Sequence, residues 1–322
     1  MLRLPRFAWF AWGVLGYNLL VILWGALVRA TGSGAGCGSH WPLCNGEVIP
    51  PDPAIETLIE FTHRLTSGVA LLAVLGMCIW AWRLYPARHI VRRAAGFSLF
   101  FIIIEALLGA GLVLFELVAH NASLTRAFSM AAHLANTFLL IGALTLTAWW
   151  AGGAPRPQIE HHRRWAVQLV IGMVGLLLVG MSGAITALGD TLFVAYTAAG
   201  DGEQALPPLV QVLIRLRVFH PLIAVLVGLY TVLLAWSIQS RAEQPATRKA
   251  AIVLSALFII QLIAGFVNVL LMVPIWMQLV HLLLADLVWI ALILLGAAAL
   301  AEPLPATDQG RPALGRGVAE GA

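Results

Sequence analysis

The chain has 322 residues, of which 61% are hydrophobic and only 11% charged, with 19 Lys and Arg against 15 Asp and Glu and a net charge of +4. An ordinary soluble domain carries about a quarter of its residues as charges, so this composition excludes one and describes a multispanning membrane protein. The modest positive excess gives no sign of a nucleic-acid partner.

A transmembrane helix needs about 20 mostly apolar residues, and eight runs qualify: 8–30, 60–84, 95–117, 127–151, 165–187, 214–238, 250–272 and 275–300. An even number of crossings returns both termini to one side. Of the 19 basic residues, all but Arg29, Arg64, Arg126, Arg215 and Arg217 fall on that side. Short loops rich in positive charge are retained in the cytoplasm, so the expected topology is N-in and C-in. Only a handful of residues precede the first run, which is itself too long for a cleaved signal segment. The expected location is therefore the plasma (inner) membrane of a prokaryote.

After the first run comes an outer loop over 31–59 with Cys37 and Cys44, in Cys37-Gly-Ser-His-Trp-Pro-Leu-Cys44. Disulfides persist outside the cytoplasm, and this spacing permits a small closed loop, structural or redox active. A weaker reading joins both cysteines to His40 around zinc. The second run opens with Glu60, His63 and Arg64. Three residues apart on a helix, Glu60 and His63 share a face, so the carboxylate is either a general base beside whatever His63 binds or an exposed first-turn residue favouring the helix dipole. The third run carries Glu105 and the fourth His133; Cys78, in the second, reads as a small packing residue.

The next four runs repeat the first four. His63-Arg-Leu-Thr-Ser-Gly matches His220-Pro-Leu-Ile-Ala-Val at an offset of 157, Glu105-Ala-Leu-Leu-Gly109 matches Gln261-Leu-Ile-Ala-Gly265 at 156, and His133-Leu-Ala-Asn matches His281-Leu-Leu-Leu at 148. Both halves enter from the cytoplasm, so the repeat is parallel. The fold class expected is an all-α membrane protein with eight transmembrane helices in two pseudo-symmetric four-helix bundles. The first occupies 1–151 and the second 152–301, followed by a disordered cytoplasmic tail over 302–322, rich in Pro, Gly and charge.

Four histidines, His63, His133, His220 and His281, thus lie just inside the outer ends of separate spans, two to each half. Ionisable groups in a bilayer are costly and usually face a bundle interior or a cofactor. An imidazole on each face of a porphyrin gives six-coordinate iron, so the pattern reads as two haem sites held within helical bundles. The plain alternative makes each histidine a polar helix-packing residue. His40, His89, His120, His161 and His162 fall in loops or at their margins and read as surface residues. The five outlying arginines, Arg29, Arg64, Arg126, Arg215 and Arg217, all sit at outer helix mouths, where a guanidinium suits a haem propionate or simply snorkels to water. Glu105 and Asp286 lie within spans as polar contacts of no assigned role.

Thr31-Gly-Ser-Gly34 with Cys37 and Trp41-Pro-Leu-Cys44-Asn-Gly46, then Glu60-Phe-Thr-His63-Arg64, and later Arg217-Val-Phe-His220-Pro221, resemble the haem A synthase family over residues 8–300. The resemblance implies an oxidoreductase that takes the methyl group at porphyrin position 8 of haem O through an alcohol to the formyl of haem A, for terminal oxidase biogenesis. By position it implies that His63 and His133 hold the substrate haem with Glu60 in catalysis, that His220 and His281 ligate a haem b cofactor, and that Cys37 and Cys44 form a disulfide. It implies haem O and haem A as substrate and product, an electron acceptor that the residues do not identify, contacts with haem O synthase and oxidase assembly factors, and surrounding membrane lipid. The second outer loop, 188–213, has no cysteine. A dihaem b-type cytochrome exchanging electrons with quinone explains the four histidines equally well, but not the confinement of Glu60 and the cysteines to one half. A transporter on parallel repeats places its site nearer the midplane. A haem prenyltransferase needs paired Asp-rich motifs for diphosphate and magnesium, and none is present.

Overall fold

The structure, a computed structural model, describes residues 5–119, 121–198, 211–212, 215 and 218–303, without the side chains of 194–198. Among them are eight helices long and apolar enough to cross a membrane: α1 (Arg6–Ala30), α2 (Ile55–Leu84), α3 (Ile90–Leu114), α4 (Leu124–Ala151), α5 (Arg163–Ala198), α6 (Phe219–Arg241), α7 (Pro245–Leu270) and α8 (Ile275–Ala299). The expected runs correspond one to one, with shifted ends. Helix α2 starts five residues before position 60, directly after Pro51 and Pro53, because Glu56 is tolerated in a first turn. Helix α5 continues past 187 to Ala198, so part of the expected second outer loop is helical; of the remainder, 199–210 and 213 lie outside the described residues, as do Arg217, His120 and 304–322.

Local signals set several ends. Ser123 caps α4 by accepting from the Arg126 amide at 3.2 Å. His89 accepts from the Val91 amide at the start of α3, and Pro245 occupies the first turn of α7, where its missing N–H costs nothing. Both α3 and α7 end in the same way. Phe115 N bonds Gly111 O and Leu117 N bonds Leu112 O, while Leu271 N bonds Val267 O and Val273 N bonds Asn268 O. Between each pair of bonds stands a residue at positive φ, Glu116 (53°) and Met272 (61°), the left-handed step of a helix C-cap. Every one of these positions is 156 residues from its counterpart. The opposite helix ends repeat likewise, Tyr85 N on Ala81 O against Ala242 N on Ile238 O at 157, and Gly152 N on Ala148 O against Leu300 N on Gly296 O at 148. The offsets in the apolar pattern thus recur in the backbone bonds.

Packing follows chain order: α1 on α2, α2 on α3, α3 on α4, and α4 back on α1; then α5 on α6, α6 on α7, α7 on α8, and α8 back on α5. Helices α4 and α8 also pack on each other, α4 on α5 and α1 on α8, so α4 and α8 are the most enclosed elements. In a bilayer, burial of apolar surface does not drive helix association, and small side chains that admit close contact matter more. Accordingly, α4 buries Gly142, Ala143 and Ala148, and α8 buries Ala291, Gly296 and Ala297. Phe138 and Trp289 stack across this contact at 5.3 Å. Large apolar side chains such as Leu72, Phe100, Leu178, Trp236 and Phe266 face outward, as lipid requires.

Of the tail expected over 302–322, residues 302 and 303 are described. Glu302 is buried, and its carboxylate accepts from the amides of Glu243 and Gln244 at the N-terminus of α7, where a helix end favours negative charge.

Candidate haem-binding and catalytic site

Helices alternate in direction, so the C-terminal ends of α1, α3, α5 and α7 share one end of the molecule with the N-terminal ends of α2, α4, α6 and α8. The four histidines lie at that end. Each rests against a glycine on the helix before it. A Cβ on Gly25 would lie 2.9 Å from His63 Cε1, on Gly183 3.0 Å from His220 Cε1, on Gly265 2.9 Å from His281 Cε1, and on Gly109 3.7 Å from His133 Nε2. The absence of a side chain makes room for the rings of His63, His220 and His281, whereas a Cβ on Gly109 would meet His133 at ordinary contact distance. His63 and His133 stand within electrostatic reach of one another, and so do His220 and His281.

The surroundings of the rings differ. His220 Nδ1 is 3.0 Å from Ser182 Oγ, and His281 Nε2 is 3.3 Å from Gln261 Nε2. His133 Nδ1 lies 3.1 Å from Glu105 Oε1 without a well-aligned hydrogen bond. Glu105 is held in turn by Asn136 Nδ2 at 2.6 Å and Thr137 Oγ1 at 2.5 Å, both one turn beyond His133 on α4. The Nδ1 atoms of His63 and His281 are buried and make no hydrogen bond. Buried polar atoms are normally paired. Imidazoles in glycine cradles, two to each pair and with ring nitrogens unspent, fit axial ligation of a porphyrin iron.

Glu60 is 3% exposed, which removes its reading as an exposed first-turn carboxylate. Its Oε2 accepts from the Cys37 amide at 2.8 Å, and its Oε1 pairs with the Arg64 guanidinium. Arg64 also donates to the carbonyls of His40 and Leu43, at 2.5 and 2.7 Å. Cys37 and Cys44 form a disulfide, so the zinc reading with His40 fails. Residues 37–44 are thus a covalent ring clamped onto the first turns of α2 by Glu60 and Arg64, which flank His63. Thr57 Oγ1 adds a bond to Gly36 O at 2.7 Å, and a Cβ on Gly36 would lie 2.5 Å from the Glu56 carbonyl carbon. Only glycine fits there.

The other outer arginines are engaged differently. Arg29 donates to Ala187 O and Thr191 Oγ1 of α5 and to Gln278 Oε1 of α8, tying α1 to the second set of helices. Buried Arg126 donates to Ala119 O and Asn121 O while its Nε stays unpaired; Arg215 is exposed. A propionate at Arg29 or Arg64 would meet a guanidinium already holding protein acceptors, whereas Arg126 keeps its Nε for one. Asp286 is fully buried on α8 with neither carboxylate oxygen bonded.

Reasoning from sequence missed the glycines, Ser182 and the contact of Glu105 with His133. The matched segments ending in Gly109 and Gly265 carried the signal for two of the glycines, which recur at the repeat offset.

Known proteins are similar to this chain in two ways. A protoheme IX farnesyltransferase of Thermus thermophilus is 52% identical over 295 residues, which is 92% of this chain and 48% of that protein. Haem A synthases match shorter stretches: that of Shouchella clausii is 54% identical over 97 residues, 30% of this chain and 32% of its own, and that of Halalkalibacterium halodurans 42% over 139, 43% and 45%. The chain therefore spans half or less of the length of these curated relatives. A family model described as cytochrome oxidase assembly protein matches residues 8–293, from within α1 to within α8. On that match, covering both histidine pairs and the disulfide loop, the chain belongs to the COX15-CtaA family of cytochrome oxidase assembly proteins.

Proposed function

We propose that this protein is a haem A synthase of a prokaryotic plasma membrane, with both termini cytoplasmic and two pseudo-symmetric four-helix bundles, α1–α4 and α5–α8. The bundle of 1–151 takes haem O between His63 and His133, and that of 152–301 holds haem b between His220 and His281. The observation that carries the reading is the asymmetry of two otherwise matched histidine pairs: a buried carboxylate, Glu60, and a disulfide ring adjoin only the first.

Oxidising a methyl group to a formyl through the alcohol and the hydrated aldehyde removes four electrons in two stages of two. Haem b, when bound, supplies a one-electron carrier whose potential is set by its axial ligands. The residues of the first bundle do the rest. His63 and His133 orient the porphyrin so that its edge is fixed relative to the first turns of α2. Glu60, three residues before His63, would take a proton from the substrate carbon or from an attacking water. Arg64 holds that carboxylate and, through the 37–44 ring, covers it from the aqueous side, which strengthens electrostatic interactions beneath. The quinone-linked cytochrome gives no reason for these parts. The name of the Thermus relative points to prenyl transfer, yet the five aspartates here (52, 190, 201, 286 and 308) form no paired Asp-rich motif.

Expressing the full chain in a host that makes haem O but not haem A tests the activity. Haem A should appear in extracted membranes; unchanged haem O would refute the reading. The glycine cradles give a second expectation. Gly265→Val places branched carbons where the His281 ring lies and should deplete haem from the second site by more than tenfold, a loss of at least about 1.4 kcal/mol in binding, while the chain still inserts. Haem content per purified chain measures it.

A further inference from the structure

Resting on the synthase reading, we propose that Glu105 is a positioning residue for His133, and that the exchange of Glu105 for Gln261 between the two repeats makes the two irons electronically different. Three observations carry this. Glu105 Oε1 is 3.1 Å from His133 Nδ1, the nitrogen that an Nε2-ligating imidazole turns away from iron. Asn136 and Thr137 fix the carboxylate from the helix that carries His133, Asn136 Nδ2 also reaching Phe101 O on α3 at 2.9 Å. The counterpart 156 residues on is Gln261, a neutral amide whose Nε2 lies 3.3 Å from His281 Nε2, so that His281 Nδ1 has no hydrogen-bond partner where His133 Nδ1 has a carboxylate beside it, and the positions after His281 that match Asn136 and Thr137 are Leu284 and Ala285, whose side chains carry no polar group.

A ligating histidine normally gives its second N–H to a partner that fixes the ring and tunes its basicity, and a carboxylate does so more strongly than an amide. Here the carboxylate is pre-set by two hydrogen bonds, 3.1 Å from the His133 Nδ1. A more strongly donating imidazole favours ferric iron and lowers its potential. A low potential at the site being oxidised and a higher one at the neighbouring haem would run electrons from the first bundle to the second. Glu60 acts at the substrate edge, and Glu105 acts only through His133.

The experiment uses the purified full chain with the haems it acquires in the host described above. Midpoint potentials and low-spin electron paramagnetic resonance signals are recorded for wild type, Glu105→Gln and Gln261→Glu, with the two sites assigned by His133→Ala and His281→Ala variants. In Glu105→Gln the first-site potential should rise and its signal shift, the second site staying unchanged and haem content staying near wild type. In Gln261→Glu the second-site potential should fall and the first stay unchanged. Unmoved potentials in both variants, or equal movement at both sites, would overturn the proposal. If Glu105→Gln fails to accumulate, the Gln261→Glu result decides alone. The underlying reading fails separately: haem b alone in both sites refutes the synthase whatever the potentials do, whereas haem O or haem A with unmoved potentials refutes only Glu105.

Discussion

Glu60→Gln should abolish haem A formation, by about 10²–10⁴-fold if the carboxylate acts as a general base, while leaving both haems bound and the fold intact. The structure makes Gln, rather than Ala, the informative substitution. Glu60 is buried against Arg64 and the Cys37 amide, and the amide oxygen of Gln can still accept from either. Both substitutions remove the charge facing Arg64, but Ala also removes the acceptor, leaving the guanidinium and the Cys37 amide without it, at up to about 3–5 kcal/mol. Glu60→Ala should therefore lose activity and also loosen the 37–44 ring, so a defect there would not separate chemistry from support. Thermal unfolding, haem content and product chromatography on both variants make the distinction. Retained haem A formation in Glu60→Gln would sink the catalytic role.

The second large effect is expected at the histidine pairs, and it should differ between them. His281→Ala should remove the permanent haem b and, with it, the exit for electrons, so that haem O still enters the first bundle but accumulates without oxidation. His133→Ala should spare haem b and abolish retention of haem O. Both are read from the haem extracted per purified chain. A symmetric result, each variant losing half of a single haem type, would favour two equivalent sites and the cytochrome reading. His63 and His220 should behave like their partners. His220 Nδ1 has a hydrogen-bonding neighbour in Ser182, whereas His63 Nδ1 has none.

Much of this was legible in the residues alone, for definite reasons. Eight spans follow from hydropathy, and the repeat offsets of 157, 156 and 148 reappear in the cap bonds at Tyr85 and Ala242, Phe115 and Leu271, and Gly152 and Leu300. Those bonds are local, so equal spacing in sequence becomes equal geometry. The disulfide was also within reach, because Cys37 and Cys44 are confined to one short loop.

The rotation of each helix was not legible. A helix in lipid is apolar all round, so no polar stripe announces its inner face as it does in a soluble bundle. The sequence therefore placed Glu60 on the His63 face without revealing that its carboxylate turns to Arg64 and the Cys37 amide. It offered Arg29 as a propionate ligand, whereas that guanidinium spans to Ala187, Thr191 and Gln278. It left Glu105 without a role, since the meeting of α3 with α4 that brings it to His133, Asn136 and Thr137 is a tertiary event. The glycines opposite the histidines belong to the same class: their spacing repeats, but their purpose emerges only when helices are laid side by side.

The central claim is that two matched histidine pairs hold chemically different haems. Extracting and chromatographing the haems of the purified full chain, from a host that supplies haem O, tests it most directly. The account predicts haem b together with haem O, its alcohol or haem A on the same chain. Haem b alone, filling both sites, would contradict it.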